Sequence, residues 1–92
     1  MVTTVSFVVH GRVQGVGFRY HTQNRAIRLG LTGWVRNRAD GDVEGIVQGD
    51  SLDIETMLDW LGKGPSFARV TELKGEEIED ETVLFESFQI VR

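Results

Sequence analysis

Apolar residues alternate with polar ones at the start of the chain and then switch to a helical period. Val5, Phe7 and Val9 interleave with Ser6 and His10, the pattern of a half-buried strand. After a glycine-dense stretch, Phe18, Thr22, Ala26 and Leu29 recur at helical spacing, and Gly30 supplies a stop. Thr32 to Asn37, with Trp34 and Val35, predicts a second strand. Arg38-Ala39-Asp40-Gly41 predicts a turn, because Asp-Gly favours the tight connection of a hairpin. Val43 to Gln48 follows as a third strand, with Gly45 and Gly49 marking a close approach or a bulge. A second helix is expected from Asp50 or Ser51, either of which accepts from a free N–H. Ile54, Met57, Leu58 and Leu61 line its buried face, and Gly62, Gly64 and Pro65 end it. Ala68 to Leu73 predicts a fourth strand in which Leu73 falls out of step with Val70. The acidic run Glu76 to Glu81 reads as a solvated turn or strand end, and Phe88 to Ile90 as a short last strand.

The order β-α-β-β-α-β plus a short extra strand fits an α+β, ferredoxin-like split-βαβ sandwich. That plan is an antiparallel sheet with both helices on one face. It is expected to bring the first strand–helix loop near the early part of the second strand. Residues 1–92 suffice for one domain around a single core. The chain has no cysteine, so disulfides and thiolate metal sites are excluded. Its longest apolar run is too short to span a bilayer and its start lacks a signal-peptide pattern. A soluble cytoplasmic protein with no membrane partner is the expectation.

Charge changes the picture. The formal net charge is −4, yet residues 1–39 hold Arg12, Arg19, Arg25, Arg28, Arg36 and Arg38 and no acid. All fourteen acids lie beyond them. A positive region draws small anions, although folding can interleave the two halves. Within the basic half, Gly11 to Arg19 reads GRVQGVGFR, between the first strand and the first helix. A glycine-dense turn can aim successive N–H groups at one point, and the open first turn of a helix favours the same anion. Arg19 closes the loop with a planar fork of donors suited to phosphate oxygens. An arginine in a first helical turn opposes the helix dipole unless an anion offsets it. The loop therefore reads as a phosphate cradle.

Val9 to Arg19, VHGRVQGVGFR, and Gly33 to Gly49, GWVRNRADGDVEGIVQG, together resemble the two motifs of the acylphosphatase family. The resemblance implies hydrolysis of acyl phosphates to a carboxylate and inorganic phosphate, with no metal and no organic cofactor. It implies that Arg19 binds phosphate beside the loop amides of Gln14, Gly15, Val16, Gly17 and Phe18. It implies that Asn37 orients the attacking water, whereas spacing alone makes Asn37 a turn-former. The partners implied are a small-molecule acyl phosphate and inorganic phosphate, and the expected state is a monomer.

The chemistry needs few groups. A carboxylate leaving group has a conjugate acid of pKa about 4 and departs without a general acid. The remaining work is to hold the phosphoryl group and place water in line. His10 and His21 invite a general-base reading because histidine is the residue type suited to that role near neutral pH, but no carboxylate in the first 39 residues orients them locally, and their roles stay open with that of Arg12. The cluster Asp40, Asp42 and Glu44 could attract a hard cation, yet the hairpin explains Asp40-Gly41 better. Two other functions fit the fold plan. An RNA-binding sheet would need aromatics where Val43 to Gln48 has none and carries Glu44, so no nucleic-acid partner is expected. A non-catalytic phosphate-sensing module would bind without turnover.

Overall fold

Strands and helices form where the hydrophobic pattern puts them. The computed structural model describes residues 2–79 and 83–92. The elements run β1 (Thr3–Arg12), α1 (Phe18–Arg28), β2 (Thr32–Asn37), β3 (Val43–Gly49), α2 (Ser51–Leu61), β4 (Arg69–Glu77) and β5 (Phe88–Ile90). The strands form one sheet in the order β4-β1-β3-β2-β5. The first four are antiparallel to their neighbours, and the short extra strand β5 joins β2 in parallel, so the sheet is mixed.

Alternation decides which face is covered. Val5, Phe7 and Val9 of β1, Val35 of β2, and Val43 and Val47 of β3 are buried together with Phe18 and Ala26 of α1 and Ile54, Met57 and Leu61 of α2. α1 packs on β2 and β5, α2 packs on β1 and β3, and the helices touch each other. Both therefore cover one face. Each large side chain removed from water here stabilises the fold by roughly 1.5–3 kcal/mol. Gly45 sits where Trp34 and Phe7 crowd β3: a Cβ there would press into the Trp34 carbonyl and the Phe7 ring. Of the two sequence readings for Gly45, close approach is the one that holds.

The two helices start differently. α2 begins at Asp50, whose side chain accepts from the Leu52 N–H at 3.0 Å, with Asp53 in the first turn. α1 begins at Gly17, with no side-chain cap and no acid in its first turn. Its last turn carries Arg25 and Arg28, and Leu29 and Gly30 close it.

Three details depart from expectation. β1 runs on through Gly11 and Arg12, which pair with Val70 and Arg69, so the loop proper starts at Val13. The register shifts between His10 and Gly11, leaving Thr71 as an extra residue on β4. That bulge resets the alternation and lets both Val70 and Leu73 pack against the core. β4 also continues past Leu73 to Glu77, so the acidic run opens as strand, while Asp80 and Glu81 lie outside the described residues. Finally, the loop after β1 lies at the far end of β2, not its early part. β1 and β2 both run antiparallel to β3, so they point the same way and their C-terminal ends meet at one edge. Among the described residues, no helix is long and apolar enough to cross a membrane.

Candidate active site

The sheet register assembles the site. Val43 at the start of β3 pairs with Val9 on one side and with Asn37 on the other. Strands lie about 4.8 Å apart, so Asn37 stands about 10 Å from Val9, just where β1 leads into the loop. Asn37 shares the parity of buried Val35, which directs its side chain to the helix-covered face. The Asn37 Oδ1 is buried without a hydrogen-bond partner among the described residues.

The loop from Val13 to Gly17 is anchored at three points. Val13 and Phe18 are buried, and the Phe18 ring lies 5.8 Å from that of Trp60. Between them the Gln14 Nε2 donates to the carbonyls of Arg38 at 2.8 Å and Asp42 at 2.9 Å, both in the turn that follows Asn37. Gly15 and Gly17 take φ of 75° and 78°, left-handed values that cost other residues about 1 kcal/mol or more. These glycines turn the chain so that α1 starts at once. Among the described residues, the N–H groups of Gly15, Val16, Gly17 and Phe18 donate to no backbone or side-chain acceptor. Arg19, half-buried in the first turn of α1, makes no ion pair there either. Free amides, a helix dipole and one unpaired guanidinium therefore converge on one segment.

The structure thus brings the loop and Asn37 to one edge of the sheet and ties them together through Gln14. Asn37 also borders an open groove of about 560 Å³ with Arg38, Glu44 and Arg92, which Arg19 and the loop do not line. The Gln14 clip escapes sequence reasoning, because its partners lie 24 and 28 residues away and no local pattern announces them.

The histidines separate. His10 lies on the face opposite Asn37, with Nδ1 against the Asp42 carboxylate and Nε2 3.7 Å from Glu72. Tertiary contacts thus supply the acids that the first 39 residues lack, but away from Asn37. His21 is exposed on α1. The acids Asp40, Asp42 and Glu44 each lie against an arginine or histidine side chain. Asp40 pairs with Arg38 at 3.0 Å, Asp42 with His10, and Glu44 with Arg36 at 2.6 Å. The Asp42 N–H, then the Arg38 charge, hold the Asp40 carboxyl below its usual range. Among the described residues, no group of His, Asp and Glu is arranged to hold a metal ion.

Comparison with known proteins gives the chain's family. The acylphosphatase family profile matches residues 5–90. The chain is 56% identical to an acylphosphatase of Vibrio vulnificus over 72 residues, 78% of this chain and 80% of the relative. Its fold superposes on an acylphosphatase from Coxiella burnetii with a TM-score of 0.92 at 38% identity, covering 98% of this chain and 93% of that one. The acylphosphatase from Bacillus subtilis gives the same TM-score at 36% identity, with both chains covered completely. With both motifs, the strand order and a match over nearly its whole length, the chain belongs to the acylphosphatase family.

Proposed function

We propose that Arg19 and the amides from Gln14 to Phe18 hold the phosphoryl group of an acyl phosphate while Asn37 orients the attacking water. The chain is a hydrolase of acyl phosphates, as its family membership establishes. Residue roles are argued from the geometry. The observation that carries them is the buried Asn37 Oδ1, unpartnered among the described residues, at the end of β2, where Gln14 ties the following turn to a loop whose N–H groups are unused among those residues. A buried acceptor without a partner costs about 1–3 kcal/mol, a cost that a site sustains when the donor arrives with the substrate.

In this reading the phosphoryl oxygens accept from the loop amides and the Arg19 fork. Water donates one hydrogen to the Asn37 Oδ1, and the amide N–H₂ is free to donate to a phosphoryl oxygen. The water oxygen bonds to phosphorus as the bond to the bridging oxygen breaks, and that electron pair leaves on the carboxylate. The water's proton passes to a phosphoryl oxygen. The dianionic acyl phosphate plus water yields one carboxylate and one dihydrogen phosphate, in balance. The leaving group needs no general acid, so a histidine on the far face of the sheet is no obstacle. Loop, helix start and strand end all come from one chain, which supports a monomer as the working unit. A cysteine-free composition gives no disulfide to tie it to an oxidising compartment, and we place it in the cytoplasm.

The test is turnover of benzoyl phosphate in the presence of EDTA. Wild type is expected to hydrolyse it, and Arg19→Gln to lose at least about 10³-fold in kcat/KM, the scale of removing a principal charge stabiliser. An Arg19→Gln variant with near-normal turnover overturns the assignment.

A further inference from the structure

Gln14 holds the loop from Val13 to Gly17 to the turn after Asn37, and one of its two acceptors is the carbonyl of Asp42. That carbonyl also accepts from the Arg38 N–H at 2.8 Å, which closes the hairpin between β2 and β3. Loop and hairpin therefore meet at Asp42. The sheet stops one residue short of it, because the ladders of β3 with β1 and with β2 both end at Val43.

The Asp42 side chain supplies a tie to β1. Its carboxylate lies against Nδ1 of His10, the residue that follows Val9, the last position of β1 paired with β3. An ionised carboxylate only accepts, so a hydrogen bond here needs the hydrogen on Nδ1. The other ring nitrogen, Nε2, is buried and has no hydrogen-bond partner among the described residues. It stands 3.7 Å from Glu72, beyond hydrogen-bond range. An exposed ion pair on an open sheet face contributes little. The contact with Asp42 differs in two ways. The Asp42 side chain is only 14% exposed, and its own carbonyl receives Gln14.

We propose that His10 is a positioning residue for the hydrolysis, acting through Asp42 and Gln14 on the loop that holds the phosphoryl group. The proposal rests on the reading of Gln14 to Arg19 as the phosphate site. His10 does not touch the substrate, since its side chain lies on the open face of the sheet, opposite to buried Val9. It fixes the Asp42 carboxylate, the Asp42 main chain fixes a carbonyl that Gln14 donates to, and Gln14 fixes where the loop amides point. Phosphoryl transfer is sensitive to such placement, and a shift of about 1 Å far from the chemistry can cost about 10²-fold. A histidine that merely filled the open face would act on stability alone.

The test is a cycle of variants read by kcat/KM for benzoyl phosphate, with folding checked by circular dichroism. His10→Phe keeps a ring and removes the donor, and it is expected to lower kcat/KM about three- to fivefold, the scale of one hydrogen bond. Asp42→Ala removes the acceptor and keeps the carbonyl. It should give the same loss, and it replaces His10→Phe in the cycle if that variant folds poorly. His10→Asn offers an amide N–H at the same bond count from Cβ as Nδ1, and should return kcat/KM to within about twofold of wild type. In a Gln14→Ala background, His10→Phe is expected to change kcat/KM no further, because the connection it acts through is gone. Losses that multiply in that background overturn the positioning role. So does wild-type kcat/KM in His10→Phe or in Gln14→Ala, or failure of His10→Asn to restore it. Near-normal turnover in Arg19→Gln would instead remove the phosphate-site reading, and the role of His10 with it.

Discussion

The two helices of this molecule begin in opposite ways. α2 starts on Asp50, whose carboxylate accepts from the Leu52 N–H, and places Asp53 in its first turn. Every charge there agrees with the helix dipole. α1 starts on a glycine in the left-handed region, has no side-chain cap and no acid, and puts Arg19 in its first turn. Every choice there leaves the dipole unanswered. Both helices have eleven residues and pack on the same face of one sheet, so neither length nor layer explains the difference. α2 satisfies its own terminus; α1 leaves its terminus open, where the proposed phosphoryl group would sit. A cap at α1 would add of order 1 kcal/mol of stability and fill the place where phosphate is proposed to bind.

The contrast is best broken at the α1 end. After Arg19→Gln, the largest effect is expected from Asn37→Ala, which removes the amide proposed to orient the water. Turnover should fall by about 10²–10³-fold, with phosphate affinity less affected, as read by steady-state kinetics and phosphate titration. An equally large loss of affinity would contradict the water-orienting role. Gln14→Ala removes two hydrogen bonds between the loop and the turn after Asn37. Their loss should lower kcat/KM by about tenfold and, at about 0.5–1.5 kcal/mol each, also lower the melting temperature by several degrees. A fall in melting temperature without a change in kcat/KM would make Gln14 a purely structural clip. Asp50→Ala should act on stability alone: lower it by about 1 kcal/mol in chemical denaturation and leave kcat/KM unchanged. If it weakened turnover instead, the division of labour between the helices would be wrong.

Most of the architecture is legible in the pattern of apolar residues, for a physical reason. Alternation in β1 and the helical stripes of Phe18/Thr22/Ala26 and Ile54/Met57/Leu61 record burial directly, and the structure buries those residues together. What depends on register is hidden. The Thr71 bulge explains why Leu73 and Val70 are out of step, but only the pairing of β4 with β1 reveals it. The position of the loop at the far end of β2 follows from two antiparallel pairings through β3, which no local window contains. At the site, Arg19 declares itself because a cation in a first helical turn is locally wrong. Asn37 does not, since an asparagine before a turn is ordinary. Its Oδ1, unpartnered among the described residues, shows only in the folded site, and the Gln14 clip only once segments 24 and 28 residues apart come together. His10 shows the converse: its acids arrive from the turn before β3 (Asp42) and from β4 (Glu72) and settle on the face away from Asn37.

The most direct measurement is an NMR titration of the ¹⁵N-labelled protein with inorganic phosphate, the reaction product. If the open terminus of α1 is the anion site, saturable shifts should appear first at the amides of Gly15, Val16, Gly17, Phe18 and Arg19, leave Leu52 and Asp53 unmoved, and disappear in Arg19→Gln. Saturable shifts that bypass the Gly15–Arg19 amides, or that persist unchanged in Arg19→Gln, would contradict the account.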